Sequence, residues 1–76
     1  MKSSNDFENV IKALGNKLKW VRMHKKLSLA KAAIGMNLSL YYLDQLEKGK
    51  GGKVGIATIF RICEYYEFPI KDLFDL

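Results

Sequence analysis

The sequence predicts an all-α fold of five helices, and three observations carry that prediction. Apolar residues recur at three- and four-residue intervals, the spacing of one helix face, and no segment shows the apolar-polar alternation of a half-buried strand. Four of the 6 glycines crowd between residues 49 and 55, and the 1 proline stands at position 69, so the strongest helix breakers fall between the periodic runs. The length of 76 residues suits one domain, 1–76, with a single modest core and no separate catalytic or ligand-binding domain.

The first helix is expected over about residues 6–25. Asn5 followed by Glu8 has the spacing of a capping box, and Asp6 and Glu8 suit the positive end of the helix dipole. Phe7, Val10, Ile11, Leu14, Leu18 and Val21 form its apolar stripe, with Lys25 and Lys26 at the negative dipole end. Gly15 inside it costs about 1 kcal/mol against Ala, which marks a close crossing or a weak point.

Two short helices follow, at 29–36 and 40–47. Ser28 can cap the first, Asn37 can adopt the left-handed conformation of a sharp turn, and Ser39 can cap the second. Ala33 presents almost no side chain where two helices must cross, and Met36, Leu38, Leu43 and Leu46 share the inner face. Lys48, Gly49, Lys50, Gly51, Gly52 and Lys53 then read as a flexible basic loop. Ile59, Phe60, Ile62, Cys63 and Tyr66 give a fourth helix over 56–66, stopped before Pro69 because that residue disfavours helix in Phe68. Ile70, Leu73 and Phe74 suggest a short fifth helix at 70–74.

Charge is unevenly placed. The net charge is +5, and Lys12, Lys17, Lys19, Arg22, Lys25, Lys26 and Lys31 are interrupted by no acid, whereas Glu64, Glu67, Asp72 and Asp75 dominate the C-terminal part. One end should face a polyanion. Cys63 is the only cysteine, so no intramolecular disulfide or cysteine-rich zinc site can form, and a reducing cytoplasm fits. The N-terminus lacks the apolar run of a signal peptide. His24 is a lone histidine near a helix end, and no phosphate-binding loop or nucleophile constellation accompanies it. The chain is expected to be no enzyme, with no metal and no cofactor.

Two short helices joined by a tight turn make double-stranded DNA the leading candidate partner, with a generic helical hairpin as the bland alternative. Leu14, Leu18, Arg22, Ser28, Ala33, Ser39, Leu43, Leu46, Glu47, Gly49, Lys50, Thr58, Ile59, Leu73 and Phe74 together resemble the phage-repressor and Cro-like helix-turn-helix family, the XRE type. The register from Arg22 to Lys50 aligns without a gap. The resemblance implies a repressor-like DNA-binding domain, a transcriptional regulator of prokaryotic, phage or mobile-element origin, acting as a homodimer on paired half-sites. It also implies that Arg22 and Glu47 form a structural ion pair.

By the same resemblance, helix 40–47 enters the major groove, with Leu40, Tyr41, Tyr42, Asp44 and Gln45 facing outward. Gln45 can bond adenine in a bidentate manner, and Leu40 or a tyrosine ring can press on a thymine methyl. Asp44 can accept from a cytosine amino group or point away from the duplex. Lys25, Ser28, Leu29, Lys31, Ser39, Lys48, Lys50 and Lys53 are the candidate backbone contacts, through charge, hydroxyl or helix-terminal amide. The family usually carries glutamine where this chain has Leu29, and polar residues where it has Leu40, Tyr41 and Tyr42. Those apolar substitutions support an alternative reading, an antitoxin- or antirepressor-like protein-interaction module on the same fold with weak or non-specific DNA binding. Trp20 lies off the apolar stripe and either packs over the C-terminal turn of its helix or makes an exposed contact. The apolar segment from Phe68 to Leu76 is the candidate dimer surface.

Overall fold

The computed structural model describes residues 3–50 and 54–75, with side chains from residue 6 onward. Five helices follow one another in it: α1 (Ser3–His24), α2 (Leu29–Met36), α3 (Leu40–Glu47), α4 (Ile56–Tyr66) and α5 (Ile70–Leu73). No strand occurs among the described residues. The bounds of α2, α3 and α4 agree with the sequence expectation. α1 differs, because the helix is already running at Ser3; Asn5 therefore lies inside it and does not begin it. α5 stops one residue short of Phe74, which serves as its C-cap.

Four of the helices end in the same way. After α1, the Leu27 amide donates to the Arg22 carbonyl and the Lys26 amide to Met23; after α2, Leu38 donates to Ala33 and Asn37 to Ile34. The pattern repeats after α3, with Lys50 to Gln45 and Gly49 to Leu46, and after α4, with Phe68 to Cys63 and Glu67 to Glu64. Each is a Schellman closure, which satisfies carbonyls that the last helical turn leaves unpaired. It requires a left-handed residue, and Lys26, Asn37, Gly49 and Glu67 all have positive φ. Only Gly49 takes that conformation without a steric cost. At the other three ends the following residue is apolar, and Leu27, Leu38 and Phe68 all pack against the core. Burial of that next side chain offsets the backbone cost. Gly49 is thus a helix cap and not part of a flexible loop.

The core gathers Leu14, Leu18 and Val21 of α1, Ala32, Ala33 and Met36 of α2, Leu43 and Leu46 of α3, Ile59, Ile62, Cys63 and Tyr66 of α4, and Leu73 of α5. The stripe of α1 is buried only in its second half; Phe7 and Val10 are exposed and Ile11 is half-buried. With 22 residues, α1 is about 33 Å long at 1.5 Å per residue. The shorter helices cannot cover that length, and the molecule measures 40 × 24 × 21 Å. No helix among the described residues is long and apolar enough to cross a membrane.

Two buried groups are chemically quiet. Burial pushes the Cys63 thiol above its ordinary pKa, which suppresses the reactive thiolate. The Tyr66 hydroxyl is buried without a hydrogen-bond partner among the described residues. Its pKa is pushed up to about 12 by burial and, secondarily, by the Glu47 carboxylate. An unpaired buried hydroxyl is costly, so Tyr66→Phe is expected to stabilise the protein by about 1 kcal/mol, read from urea unfolding at neutral pH. The unfolded phenol loses its proton near the ordinary value of 10 and the folded one only near 12. The unfolded chain therefore binds fewer protons in that interval, and the Tyr66 contribution, complete below pH 10, falls as pH rises from 10 to 12. The Phe variant should show a shallower alkaline loss of stability than the parent over that range.

Candidate nucleic-acid interface

The α2–turn–α3 unit is built from local hydrogen bonds. Ser28 and Ser39 are both extended N-caps, with Ser28 Oγ accepting from the Lys31 amide at 3.1 Å and Ser39 Oγ from the Tyr42 amide at 3.0 Å. Asn37, with φ 58° and ψ 43°, makes the sharp turn between them. Two residues, Leu38 and Ser39, then lead into α3, and Leu38 packs against the core.

Packing holds the unit at three points. Arg22 Nε donates to Glu47 Oε2 at 2.7 Å and Arg22 Nη2 to Glu47 Oε1 at 3.0 Å, a bidentate pair joining α1 to the last residue of α3. Arg22 Nη1 also donates to the Leu27 carbonyl at 2.8 Å. The Glu47 bond raises the guanidinium pKa, partly offset by desolvation. Both side chains are nearly out of solvent, at 12% and 5% exposure, so each charge depends on the other. The second point is Gly15 of α1, where a Cβ would collide with the Leu46 carbonyl oxygen and stand 2.9 Å from that of Glu47. The glycine that the periodicity flagged is a close crossing of α1 against the end of α3.

The third point had no sequence signal. Arg61 of α4 donates through Nη1 to the Met36 carbonyl at 3.1 Å, at the C-terminal end of α2 where carbonyls lack helical partners. The Tyr65 ring packs so closely on Gly35 of α2 that a Cβ there would overlap it. α4 thereby supports the turn from behind.

The outward face of α3 is smaller than its sequence suggested. Leu40 and Tyr41 are exposed, while Tyr42, Asp44 and Gln45 are half-buried. Leu43, Leu46 and Glu47 face the core, and Tyr42, beside Leu43 and one turn before Leu46, flanks that stripe and packs against it. Asp44 is paired with Lys48, Oδ2 to Nζ at 3.0 Å, in the favourable acid-before-base arrangement one turn apart. That pair draws the carboxylate toward the C-terminal end of α3 and occupies the Lys48 ammonium.

Among the backbone candidates, Lys25, Lys31, Lys48 and Lys50 are exposed, as are Ser28 and Ser39. Leu29 is half-buried against the core, which leaves its helix-terminal amide as the group it can offer. Lys53 lies outside the described residues. Trp20 packs over the last turn of α1: its ring lies against that of His24 at 3.9 Å between centroids, and it remains about half exposed, 51%. In the C-terminal segment Leu73 belongs to the core, whereas Phe74 is exposed and Phe68, Pro69 and Ile70 line a shallow groove with Phe60 and Cys63. Leu76 lies outside the described residues. No group of three or more His, Cys, Asp or Glu that could hold a metal ion occurs among the described residues.

No protein-family model and no curated protein matches the sequence. Among solved structures, the high-resolution crystal structure of the restriction-modification controller protein C.AhdI from Aeromonas hydrophila superposes with a TM-score of 0.79 at 23% identity, covering 84% of this chain and 96% of that one. That likeness shows the fold: an all-α helix-turn-helix architecture shared, over nearly the whole of its length, with a controller protein.

Proposed function

We propose that the chain is a sequence-specific double-stranded DNA-binding protein, a single-domain transcriptional regulator acting in the cytoplasm and not an enzyme. One observation carries the reading: the capped α2–turn–α3 unit, clamped by Arg22, Gly15 and Arg61, leaves α3 with its Leu40 and Tyr41 end exposed between basic segments. A helix so presented fits the major groove, which displays a distinct pattern for each base pair. Lys25, Lys31 and Lys50, with the first-turn amides of α2, contact phosphates and set the register, and Gln45 reads an adenine edge. The role of the controller protein with the same fold agrees with regulation of genes.

A short recognition helix reads only a few base pairs, so two copies acting on paired half-sites complete the function. Ile56 and Phe60 of α4 are exposed, and with Phe68, Ile70 and Phe74 they are the candidate dimer surface, on the acidic side of the molecule. The competing reading, a protein-interaction module, draws on the same apolar exposure at α2 and α3, where Ile34 is 79% exposed.

Binding to a random duplex pool at two salt concentrations, followed by sequencing of the retained DNA, separates the two. Retention that weakens with salt and yields a motif is expected, and Lys31→Ala or Lys50→Ala should each lower the salt-dependence slope by about one. Salt-sensitive retention without a motif would remove the sequence-specific reading and leave non-specific binding, and no retention at low salt would remove DNA binding altogether and leave the protein-interaction module.

A further inference from the structure

The exposed end of α3 is apolar. Leu40 and Tyr41 occupy the first turn with 52% and 73% exposure. Tyr42 is folded onto the core. Asp44, one turn after Leu40 on the same face, is paired with Lys48, whose Nζ lies 3.0 Å from its carboxylate. Gln45 stands one turn after Tyr41, on the same row of the helix. At its first turn such a surface offers a base pair apolar contact, with the Tyr41 hydroxyl and the Gln45 amide as its polar groups. The apolar group that a base pair displays in the major groove is the C5-methyl of thymine, and the adenine paired with it offers the donor and acceptor that an amide such as Gln45 matches.

We propose that Leu40 and Tyr41 are specificity-determining residues that read thymine C5-methyl groups, so that the half-site contains A·T pairs selected by methyl burial at the N-terminal end of α3. This rests on the DNA-binding reading above and names the chemistry that α3 selects. Leu40 covers a methyl with its branched end, and the Tyr41 ring does so with a face or edge while its hydroxyl reaches toward the backbone. The Lys48 ammonium offsets the charge of the Asp44 carboxylate, which by itself would repel phosphate and favour cytosine.

The test uses the full chain and the duplex retained from the random pool, made once with thymine and once with deoxyuridine, which lacks only the methyl. Binding is expected to weaken about fourfold for each covered methyl, the ratio that corresponds to ~0.8 kcal/mol per buried carbon group. The Leu40→Ala/Tyr41→Ala variant, whose changes lie on exposed positions and leave the core intact, should bind the two duplexes alike. Equal affinity of the parent for both duplexes would overturn methyl reading while leaving DNA binding in place. A uracil penalty that persists undiminished in the variant would overturn it as well, assigning the effect to duplex shape. Absence of binding to any duplex at low salt would remove this inference together with the reading beneath it.

Discussion

Glu47→Ala is expected to destabilise the protein by about 3 kcal/mol, because it leaves the Arg22 guanidinium nearly buried with no counter-charge. A domain of 76 residues has a total stability of only about 4–11 kcal/mol at the usual value per residue. The loss should lower the melting temperature by more than ten degrees, on the order of 4–8 °C for each kcal/mol. Glu47→Gln keeps the shape and one acceptor but not the charge, so its cost should lie between zero and that of the alanine variant. The informative comparison is the double replacement Arg22→Met/Glu47→Leu. It removes both charges from a site where their desolvation already opposed their attraction, and it should recover much of what either single change loses. Urea unfolding of the parent, Arg22→Met, Glu47→Leu and the double variant as a double-mutant cycle measures the coupling. A double variant as unstable as the sum of the singles would show that the pair is not the unit of stability proposed here.

Gly15→Ala is expected to cost about 2 kcal/mol, against the ordinary trend. In an exposed helix that change gains about 1 kcal/mol, so the sign itself is diagnostic. The added Cβ meets the carbonyl oxygens of Leu46 and Glu47 and, at 3.0 Å, the Gly49 nitrogen, all of them backbone atoms. They cannot rotate away as a side chain can, and relief requires moving the end of α3, an overpacking cost of about 1–3 kcal/mol after propensity is set aside. Gly35→Ala is the matched control. Its Cβ also overlaps a neighbour, but that neighbour is the Tyr65 ring, which is 38% exposed and able to swing outward. Its net effect should stay within about 1 kcal/mol. A stabilised Gly15→Ala variant would mean that α1 and α3 are not held at this separation. The same displacement of α3 should weaken DNA binding beyond what the loss of stability explains.

Much of the motif was legible because its signals are local. Ser28 and Ser39 cap helices through their own side chains and amides three residues on, and Asn37 bends the chain by its own backbone preference, so the bounds of α2 and α3 follow from neighbours in sequence. The caps at Lys26 and Glu67 were not legible. Neither residue favours a left-handed backbone, and what places them there is the burial of Leu27 and Phe68 against helices distant in sequence. Periodicity likewise gave α1 one apolar face without saying that its first turns, at Phe7 and Val10, extend past the elements able to cover them.

The candidate site divides in the same way. Its scaffold, the capped turn and the pairing of Arg22 with Glu47, was present in residue types and register, because those contacts leave a recurrent sequence pattern. Its outward face was decided by tertiary packing together with one local ion pair. Five side chains of α3 were candidates to face outward, and rotation of a short helix onto its core withdrew Tyr42, while the partner one turn on claimed Asp44. Arg61 and Tyr65 reach the turn only once α4 lies beside α2. The amino-acid sequence by itself determined which segments become helices and where the sharp turn falls, since capping and periodicity act over three or four residues. Only the folded chain decided which side chains of α3 remain free at its surface, since burial depends on what other helices occupy.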